Sequence, residues 1–143
     1  MLRRFSEERL ERLRALGLLL LRVGAGAFLL FGHGLAKAAH FSQTLRTFPD
    51  PLHIGRPASA TLATGAEALG SLLVALGLFT RPAATAVVIT MLVAGLVQHG
   101  GDPFAKRELA LLYAIAFATI VLTGPGPFSL DAWLARRRGF MRR

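Results

Sequence analysis

The sequence predicts an all-α integral membrane protein: a bundle of four transmembrane helices with a short interfacial helix at each terminus. Its 143 residues are 53% hydrophobic and only 17% charged, and the mean hydropathy of +0.51 is high for an ordinary soluble domain. Four apolar segments have lengths near the roughly 20 residues that a helix needs to cross a bilayer. The net charge of +9 comes from arginines that lie mostly outside these segments.

The four predicted transmembrane segments are residues 15–36, 58–79, 82–98 and 108–123. A soluble four-helix bundle is the alternative, but its helices would carry charged outer faces, which the third and fourth segments almost lack. A cleaved signal peptide is a second alternative for the first segment. The length of that segment and the arginine within it argue against cleavage, so we expect the segment to be retained.

Turn-forming residues separate the segments. Thr80, Arg81 and Pro82 are predicted to form the hairpin between the second and third segments, with Pro82 in the first helical turn. The stretch HGGDP at residues 99–103 is predicted to form the next turn. The longer first connection, residues 38–57, contains HFSQTLRTF, which favours a short interfacial helix.

Both termini are predicted to form basic helices at the membrane surface. Residues 1–14 form an amphipathic helix with Ser6 as its N-cap, and we expect it to lie on the inner leaflet before the chain turns into the membrane. Residues 129–143 form its counterpart. There Ser129 is the predicted N-cap, and Trp133 is the predicted interfacial anchor.

The distribution of basic residues predicts the orientation. If both termini lie on one side, that side carries Arg3, Arg4, Arg9, Arg12, Arg14, Arg81, Arg136, Arg137, Arg138, Arg142 and Arg143. The opposite side carries only Lys37, Arg46, Arg56, Lys106 and Arg107. Because cytoplasmic segments carry the excess of Lys and Arg, we expect both termini to lie in the cytoplasm.

Arg22 and Glu67 are ionisable residues within predicted spans, where charged groups are costly and indicate a site. Counted at about 1.5 Å per residue from the ends of their segments, they differ in depth by about 8 Å. Two long side chains can bridge that gap, so we predict a buried ion pair between the first two spans. A structural role for the pair, snorkelling of Arg22 to the interface and a ligand or proton site remain alternatives.

Four ionisable side chains from three helices are predicted to converge at the outer membrane boundary: His33, Lys37, His99 and Glu108. His33 lies eleven residues after Arg22, which returns to within about 20° of the same helix face. Lys37 follows one turn later on the same face. Gly26 also lies on the face shared by Arg22, His33 and Lys37, and it predicts close contact with another helix there. The cluster is interpreted as a ligand site, with a structural polar cap on the bundle as the alternative.

The residue types of this cluster suit a carbonyl-bearing ring such as a quinone. Histidine and lysine donate hydrogen bonds to carbonyl oxygens, and Glu108 is placed to relay a proton. Haem ligation by His33 and His99 is an alternative, as is a metal site formed by these two residues and Glu108. Neither has a supporting spacing motif, so no metal ion is assigned.

The chain contains no cysteine, which excludes disulfides, iron–sulfur ligation and cysteine nucleophiles. No intrinsic cofactor is predicted, so a bound quinone or a partner would have to carry any electrons. Nucleic acid is not an expected partner, because the basic residues lie at the termini rather than on one soluble face. The expected partners are the lipid bilayer and either other membrane subunits or further copies of the chain.

Four stretches occur in order over about residues 17–134: LLLLRVGAGAFLLFGHGLAK, GAEALGSLLVALGLFTRPAA, HGGDPFAKRELALLY and LTGPGPFSLDAWL. Their order and spacing resemble the DoxX family of small bacterial four-helix membrane proteins. By position, the polar residues of that family fall on Arg22, His33, Lys37, Glu67, Arg81, His99 and Glu108.

The resemblance implies a multi-pass protein of the bacterial inner membrane. It also implies association with membrane oxidoreductases, because the family takes its name from a subunit of a thiosulfate:quinone oxidoreductase. The expected function is therefore that of an oxidoreductase-associated subunit whose outer polar pocket is able to hold a quinone-like ligand. The alternative is a purely structural accessory subunit of a larger respiratory or photosynthetic complex. The family is functionally diverse, so the resemblance does not decide whether this chain is catalytic.

Overall fold

The computed structural model describes the backbone of residues 2–140 and the side chains of residues 7–137. Every regular element within this range is helical, which confirms the all-α prediction. The helices are α1 (residues 2–39), α2 (Phe41–Thr47), α3 (Arg56–Leu76), α4 (Thr80–Gln98), α5 (Phe104–Thr123) and α6 (Leu130–Phe140).

Within the part of the chain that the structure describes, three helices are long and apolar enough to cross a membrane: Glu7–Ala39 within α1, Arg56–Leu76 and Thr80–Gln98. Helix α5 has 20 residues, but Lys106, Arg107 and Glu108 occupy its first turns and shorten its apolar run. The charged start of α5 thus distinguishes it from the other three long helices.

Helix α1 corrects the predicted geometry of the N-terminus. Its backbone is helical from Leu2 onwards without a break, so the helix predicted over residues 1–14 is, from Leu2 on, continuous with the first apolar segment and not separate from it. The backbone at Ser6 already lies inside the helix and not at its start; its side chain is outside the described residues, as are the predicted tail residues Arg142 and Arg143. No glycine or proline interrupts residues 7–16, so the helix continues into the apolar run.

The turn between α3 and α4 lies earlier than the sequence predicts. Gly77 and Phe79 adopt left-handed backbone conformations with φ of 72° and 47°, and α4 already begins at Thr80. Gly77 ends α3 because glycine adopts this conformation without a Cβ penalty. Pro82 lies in the first turn of α4, where its missing N–H costs no helical hydrogen bond.

The four long helices form a closed arrangement in which each packs against two neighbours. Helix α1 packs against α3 and α5, and α4 packs against α3 and α5 from the other side. The core contains Leu29, Val74, Val87, Phe117 and Ile120, each at most 1% exposed. The outer surface is apolar as well, with Leu20, Phe28 and Leu122 more than 70% exposed, as expected for a surface in contact with lipid rather than water.

Three of the long helices contain a π-helical segment: Leu30–Gly34 in α1, Gly65–Gly70 in α3 and Val93–Gln98 in α4. Such segments are uncommon and are found frequently at functional sites, because the widened turn redirects side chains. Each of these three segments contributes residues to the cavities described below.

Candidate functional site

The centre of the candidate site is an ion pair between α1 and α3. Lys37 Nζ lies 2.7 Å from Oε1 and 2.5 Å from Oε2 of Glu67. The Glu67 side chain is 6% exposed and that of Lys37 is 30% exposed, so the carboxylate is held inside the bundle and the ammonium reaches in from the end of α1. The lysine supplies the compensating charge that a buried carboxylate requires.

Two glycines bring α1 close enough to α3 for this contact. A Cβ atom on Gly34 would clash with the backbone oxygen of Glu67, and one on Gly26 would lie 2.8 Å from that of Ser71. Small residues at such spacing let two helix backbones approach closely. The predicted close contact of Gly26 with another helix is therefore formed. Gly32, which precedes His33 as Gly34 follows it, faces open space instead.

A polar cavity of about 180 Å³ lies beside the ion pair, between α1, α4 and α5. Lys37, Glu67, His33, His99 and Tyr113 line it. The rings of His33 and Tyr113 meet edge to face with centroids 6.3 Å apart. The cavity thus combines two imidazoles, a phenol and an ion pair within an otherwise apolar bundle.

His99 is held by a residue of the following turn. Its Nδ1 lies 2.8 Å from Asp102 Oδ2, and Lys106 Nζ lies 3.9 Å from the same oxygen. The hydrogen bond from His99, together with the charge of Lys106, holds the pKa of Asp102 below its ordinary value despite some desolvation. A carboxylate on Nδ1 fixes the orientation of the imidazole and leaves Nε2 as the nitrogen that can meet a ligand.

A second cavity of about 240 Å³ lies on the other side of the ion pair. The two cavities share Lys37, Glu67, Ala94 and His99 as lining residues. The remaining walls of the second cavity are largely apolar and come from α3, α4 and the loop between α2 and α3. The ion pair therefore stands between a polar cavity and an apolar one.

The loop over the apolar cavity is fixed by Asp50. Its carboxylate accepts hydrogen bonds from the backbone N–H groups of Ile54 and Gly55, at 3.1 and 2.8 Å, and from Ser59 Oγ at 2.7 Å. The Ser59 hydrogen bond is the main cause that holds the pKa of Asp50 below its ordinary value. From the same loop, the Phe48 ring lies 5.5 Å from Lys37 Nζ, within cation–π range.

The predicted outer cluster is only partly assembled. His33, Lys37 and His99 line one cavity as expected, but Glu108 is exposed and lines neither cavity. Helix α5 begins four residues earlier than predicted, at Phe104, and it presents Lys106 to the polar cavity and Glu108 to the outside. The carboxylate that lines the polar cavity together with His33 and His99 is that of Glu67, not that of Glu108.

The predicted Arg22–Glu67 pair is not formed. Gly77 of the α3–α4 turn lies beside the Arg22 side chain, whereas Glu67 lies beside Gly34. Gly34 is twelve residues, or about 18 Å, further along α1 than Arg22. The prediction placed the ends of the first two segments at the same depth, but the α3–α4 turn lies level with Arg22 rather than with residue 15. This offset is beyond the reach of two side chains.

Arg22 instead belongs to a second polar cluster at the opposite end of the bundle. It is 1% exposed, and its Nη2 donates a 2.7 Å hydrogen bond to the backbone oxygen of Phe128. Its Nε and Nη1 have no hydrogen-bond partner among the described residues. A Cβ atom on Gly77 would overlap Nη1, so the guanidinium packs directly on this glycine.

Asp131 connects this cluster to the α3–α4 turn. Its carboxylate accepts hydrogen bonds from the backbone N–H groups of Phe79 and Thr80 at 2.9 Å and from Thr80 Oγ1 at 2.8 Å. Burial raises the pKa of Asp131, but these hydrogen bonds and the charge of Arg22 outweigh it and hold the pKa below its ordinary value. The carboxylate thus caps the N-terminus of α4 from a distant part of the chain.

Helix α6 is capped as predicted, since Ser129 Oγ accepts a 3.1 Å hydrogen bond from the Ala132 N–H. Trp133 is 42% exposed, and the Arg137 guanidinium lies 3.9 Å from the centre of its ring. The C-terminal segment therefore presents an aromatic and a cationic group together at this end of the bundle.

Several site residues could not be recognised from the sequence. Tyr113 was hidden because a single tyrosine in an apolar helix is typical of packing, and Asp102 and Asp50 because both occur in turn-like stretches. The Asp102–Pro103 pair and the spacing of three residues from His99 are the signals that could have indicated the His99–Asp102 contact. Within residues 7–137, no group of three His, Asp or Glu side chains lies close enough to hold a metal ion.

The fold and site define a helical membrane protein with a polar pocket built around a buried ion pair. The DoxX family model matches residues 17–100, which extend from α1 to the end of α4, and the chain belongs to the DoxX family. A relative from Haemophilus influenzae, named only as an uncharacterized protein, is 33% identical over 133 residues, covering 85% of this chain and 93% of the relative. No solved structure matches the chain.

Proposed function

We propose that this DoxX-family protein is an oxidoreductase-associated subunit of the inner membrane whose paired cavities hold a quinone-like ligand. The observation that carries the proposal is the Lys37–Glu67 ion pair standing between a polar and an apolar cavity, with His33 and His99 beside it. An amphipathic ring compound needs both environments: hydrogen-bond donors for its oxygens and an apolar wall for its ring or tail.

The size and donors of the site fit a single substituted ring. Each cavity is smaller than the roughly 300–1,000 Å³ of a drug-sized pocket, so a quinone head group is a better fit than a polycyclic group such as haem. When bound, a quinone would supply two carbonyl oxygens and redox chemistry. Lys37, His33 and His99 are the donors that line the polar side, and Phe48 and Leu62 provide apolar wall on the other.

The residues of the chain have distinct roles in this proposal. Glu67 holds the Lys37 ammonium in place, so that its third N–H is directed rather than mobile. Asp102 fixes His99 by its Nδ1 and leaves Nε2 for the ligand. His99 is half-buried and lies near Asp102 at the surface, which provides a short route for a proton between solvent and the cavity.

A binding experiment tests this function directly. The purified protein would be titrated calorimetrically in detergent with a short-chain quinone analogue, and the same titration would be run on His33→Ala and Lys37→Gln. We expect both variants to weaken binding at least about tenfold, since each removes one hydrogen-bonding group to the ligand. Glu108→Gln is the matched control, because Glu108 is exposed and lines neither cavity. Equal affinity in all four proteins, or no binding by the wild type, would contradict the proposal.

We further propose that α1, α3, α4 and α5 all cross the membrane, with both termini in the cytoplasm. The excess of arginine at the end that carries Arg22 and Asp131 supports this orientation. The cysteine-free chain permits a clean test with a membrane-impermeant maleimide on intact cells. Gln43→Cys should react from outside, whereas Glu8→Cys and Ala135→Cys should react only after permeabilisation. External reaction at both Gln43→Cys and Ala135→Cys, with none at Glu8→Cys, would mean that α5 does not cross.

A purely structural accessory role is the second candidate. A furrow between α3 and α4 opens onto the apolar outer surface, where a methyl group added at Gly65 would meet nothing within 4 Å and Leu69 is 59% exposed. Such a surface suits packing against another transmembrane helix. Native mass spectrometry of the mildly solubilised protein from its own host separates the two roles. A quinone-sized adduct lost on His33 substitution favours ligand binding; a larger assembly without an adduct favours the accessory role.

A further inference from the structure

A groove on the arginine-rich side of the bundle has no part in the proposed ligand site. It has a volume of about 720 Å³ and lies between α1, the C-terminal half of α5 and the segment that follows α5. Its walls include Leu18, Leu21 and Phe128, and Arg12 and Arg14 lie at one end. The groove is therefore amphipathic along its length: cationic at its end and apolar below.

The apolar part of the groove is open because of one glycine. A methyl group added at Gly17 would meet nothing within 4 Å. On the facing helix, the Thr119 and Thr123 hydroxyls donate hydrogen bonds to the backbone oxygens of Ile115 and Thr119, at 2.9 and 2.7 Å. With these hydroxyls engaged inside their own helix, the wall offers no free donor to a polar ligand. It suits a hydrocarbon chain.

The two arginines at the end of the groove differ in their partners. Arg14 Nη1 lies 2.9 Å from Glu11 Oε1, with both side chains more than 70% exposed. Within residues 7–137, Arg12 forms no ion pair. Glu11 also lines the groove and compensates Arg14, so Arg12 is the guanidinium at the groove that has no ion-pair partner among the described side chains.

We propose that this groove is a binding site for one anionic phospholipid, with the acyl chain along Gly17 and Leu21 and the phosphate at Arg12 and Arg14. Guanidinium groups bind phosphate in a bidentate geometry that a zwitterionic head group, with its own cation, satisfies less well. The order of the groups along the groove matches the order in a phospholipid. Charge complementarity therefore selects an anionic lipid over the other lipids of the bilayer.

Native mass spectrometry from mixed phosphatidylglycerol and phosphatidylcholine micelles tests the site. We expect the wild-type protein to retain one phosphatidylglycerol in preference to phosphatidylcholine. Arg12→Gln should lower that preference about fivefold, since each basic residue near a lipid surface contributes about 1 kcal/mol. Arg9→Gln, the same change on the same helix outside the groove, should leave it unchanged. An equal loss in both variants would mean diffuse attraction without a site and would overturn the proposal.

A second pair of variants tests the apolar part of the groove without removing charge. Gly17→Leu places a side chain in the open space of the groove and should lower retention of both lipids. Gly24→Leu is its control, because Gly24 also faces open space but does not line the groove. Retention that is equal in the two leucine variants would overturn the proposal. A Cβ atom at either position meets no neighbour within 4 Å, and the thermal transition of each variant separates loss of lipid from loss of folding.

Discussion

Lys37 Nζ contacts both carboxylate oxygens of Glu67, at 2.7 and 2.5 Å, and this contact joins the end of α1 to the middle of α3. The glutamate is almost fully buried and the lysine only partly, so the two partners contribute unequally. Removing the lysine leaves a carboxylate inside the bundle, whereas removing the glutamate leaves an ammonium that can turn toward the surface.

Lys37→Met should lower the free energy of unfolding by about 3 kcal/mol, because it leaves the buried Glu67 carboxylate without its partner. Glu67→Gln should cost less, and the double variant should be more stable than Lys37→Met alone. Unfolding of detergent-solubilised protein by SDS, followed by circular dichroism, measures these differences. Additive losses in the double variant would show that the two side chains do not interact.

Gly34→Ala should destabilise the protein by about 1–3 kcal/mol, because its methyl group would press on the backbone of Glu67 and force α1 and α3 apart. Gly32→Ala is the control two residues away. It faces open space and should be neutral or slightly stabilising, since alanine favours helix. The shift in thermal unfolding temperature compares the two, and similar shifts would contradict the tight helix crossing.

Gly77→Ala should destabilise the protein for two reasons. Gly77 has a left-handed backbone, with φ of 72° and ψ of 40°, where alanine incurs a cost of about 1–2 kcal/mol. The new methyl group would also overlap the Arg22 guanidinium, and this adds about 1–3 kcal/mol. An Arg22→Ala background removes that overlap, so Gly77→Ala should lower the free energy of SDS unfolding less in that background than in the wild type. Equal losses in the two backgrounds would mean that Arg22 does not pack on the turn.

The lowered pKa of Asp131 predicts that the free energy of unfolding depends on pH. Its folded-state pKa lies below the unfolded value, so it contributes stability above about pH 4, and this contribution is lost as the pH falls through the folded-state pKa. Asp131→Asn should lower the free energy of unfolding at pH 7 by about 1 kcal/mol. The gap between wild type and variant should close below about pH 4. A gap that stays constant from about pH 7 to about pH 3 would contradict the capping role of the carboxylate.

Asp102→Ala should change the tautomer of His99. With the carboxylate 2.8 Å from Nδ1, the proton of neutral His99 is held on that nitrogen; without it, the Nε2–H form should gain population. Nitrogen-15 NMR of labelled histidine, with four such residues in the chain, detects the change. The remaining histidines serve as internal controls, and an unaltered His99 spectrum would show that Asp102 does not position it.

The sequence was sufficient for the class of fold because that class follows from local properties. Apolar runs of membrane-spanning length predicted long helices, and the ordered motifs from Arg22 to His99 indicated the family that matches residues 17–100. The Ser129 cap was predictable for the same reason, since the hydroxyl binds a backbone N–H only three residues away. The prediction of a separate N-terminal helix was wrong, because residues 7–16 contain no glycine or proline that would end the helix before the apolar run.

Pairings between helices were less predictable because they depend on the relative depth of two segments. The α3–α4 turn packs level with Arg22 rather than with residue 15, and this offset in depth places Glu67 beside Lys37 and away from Arg22. At α5, which begins at Phe104, Glu108 faces outward. Each residue of helix changes the direction of a side chain by about 100°, so small errors in boundaries change which side chains meet.

By itself, the sequence determined an apolar helical protein of the membrane, its family, and the identity of its costly buried charges, because composition and motif order carry that information directly. Only the tertiary structure decided which partner each charge has: Glu67 for Lys37, and the backbone oxygen of Phe128 for Arg22. These contacts join residues 30 and 106 positions apart. They depend on how close two helices approach and at what depth, which glycines and turns set only once the helices are packed.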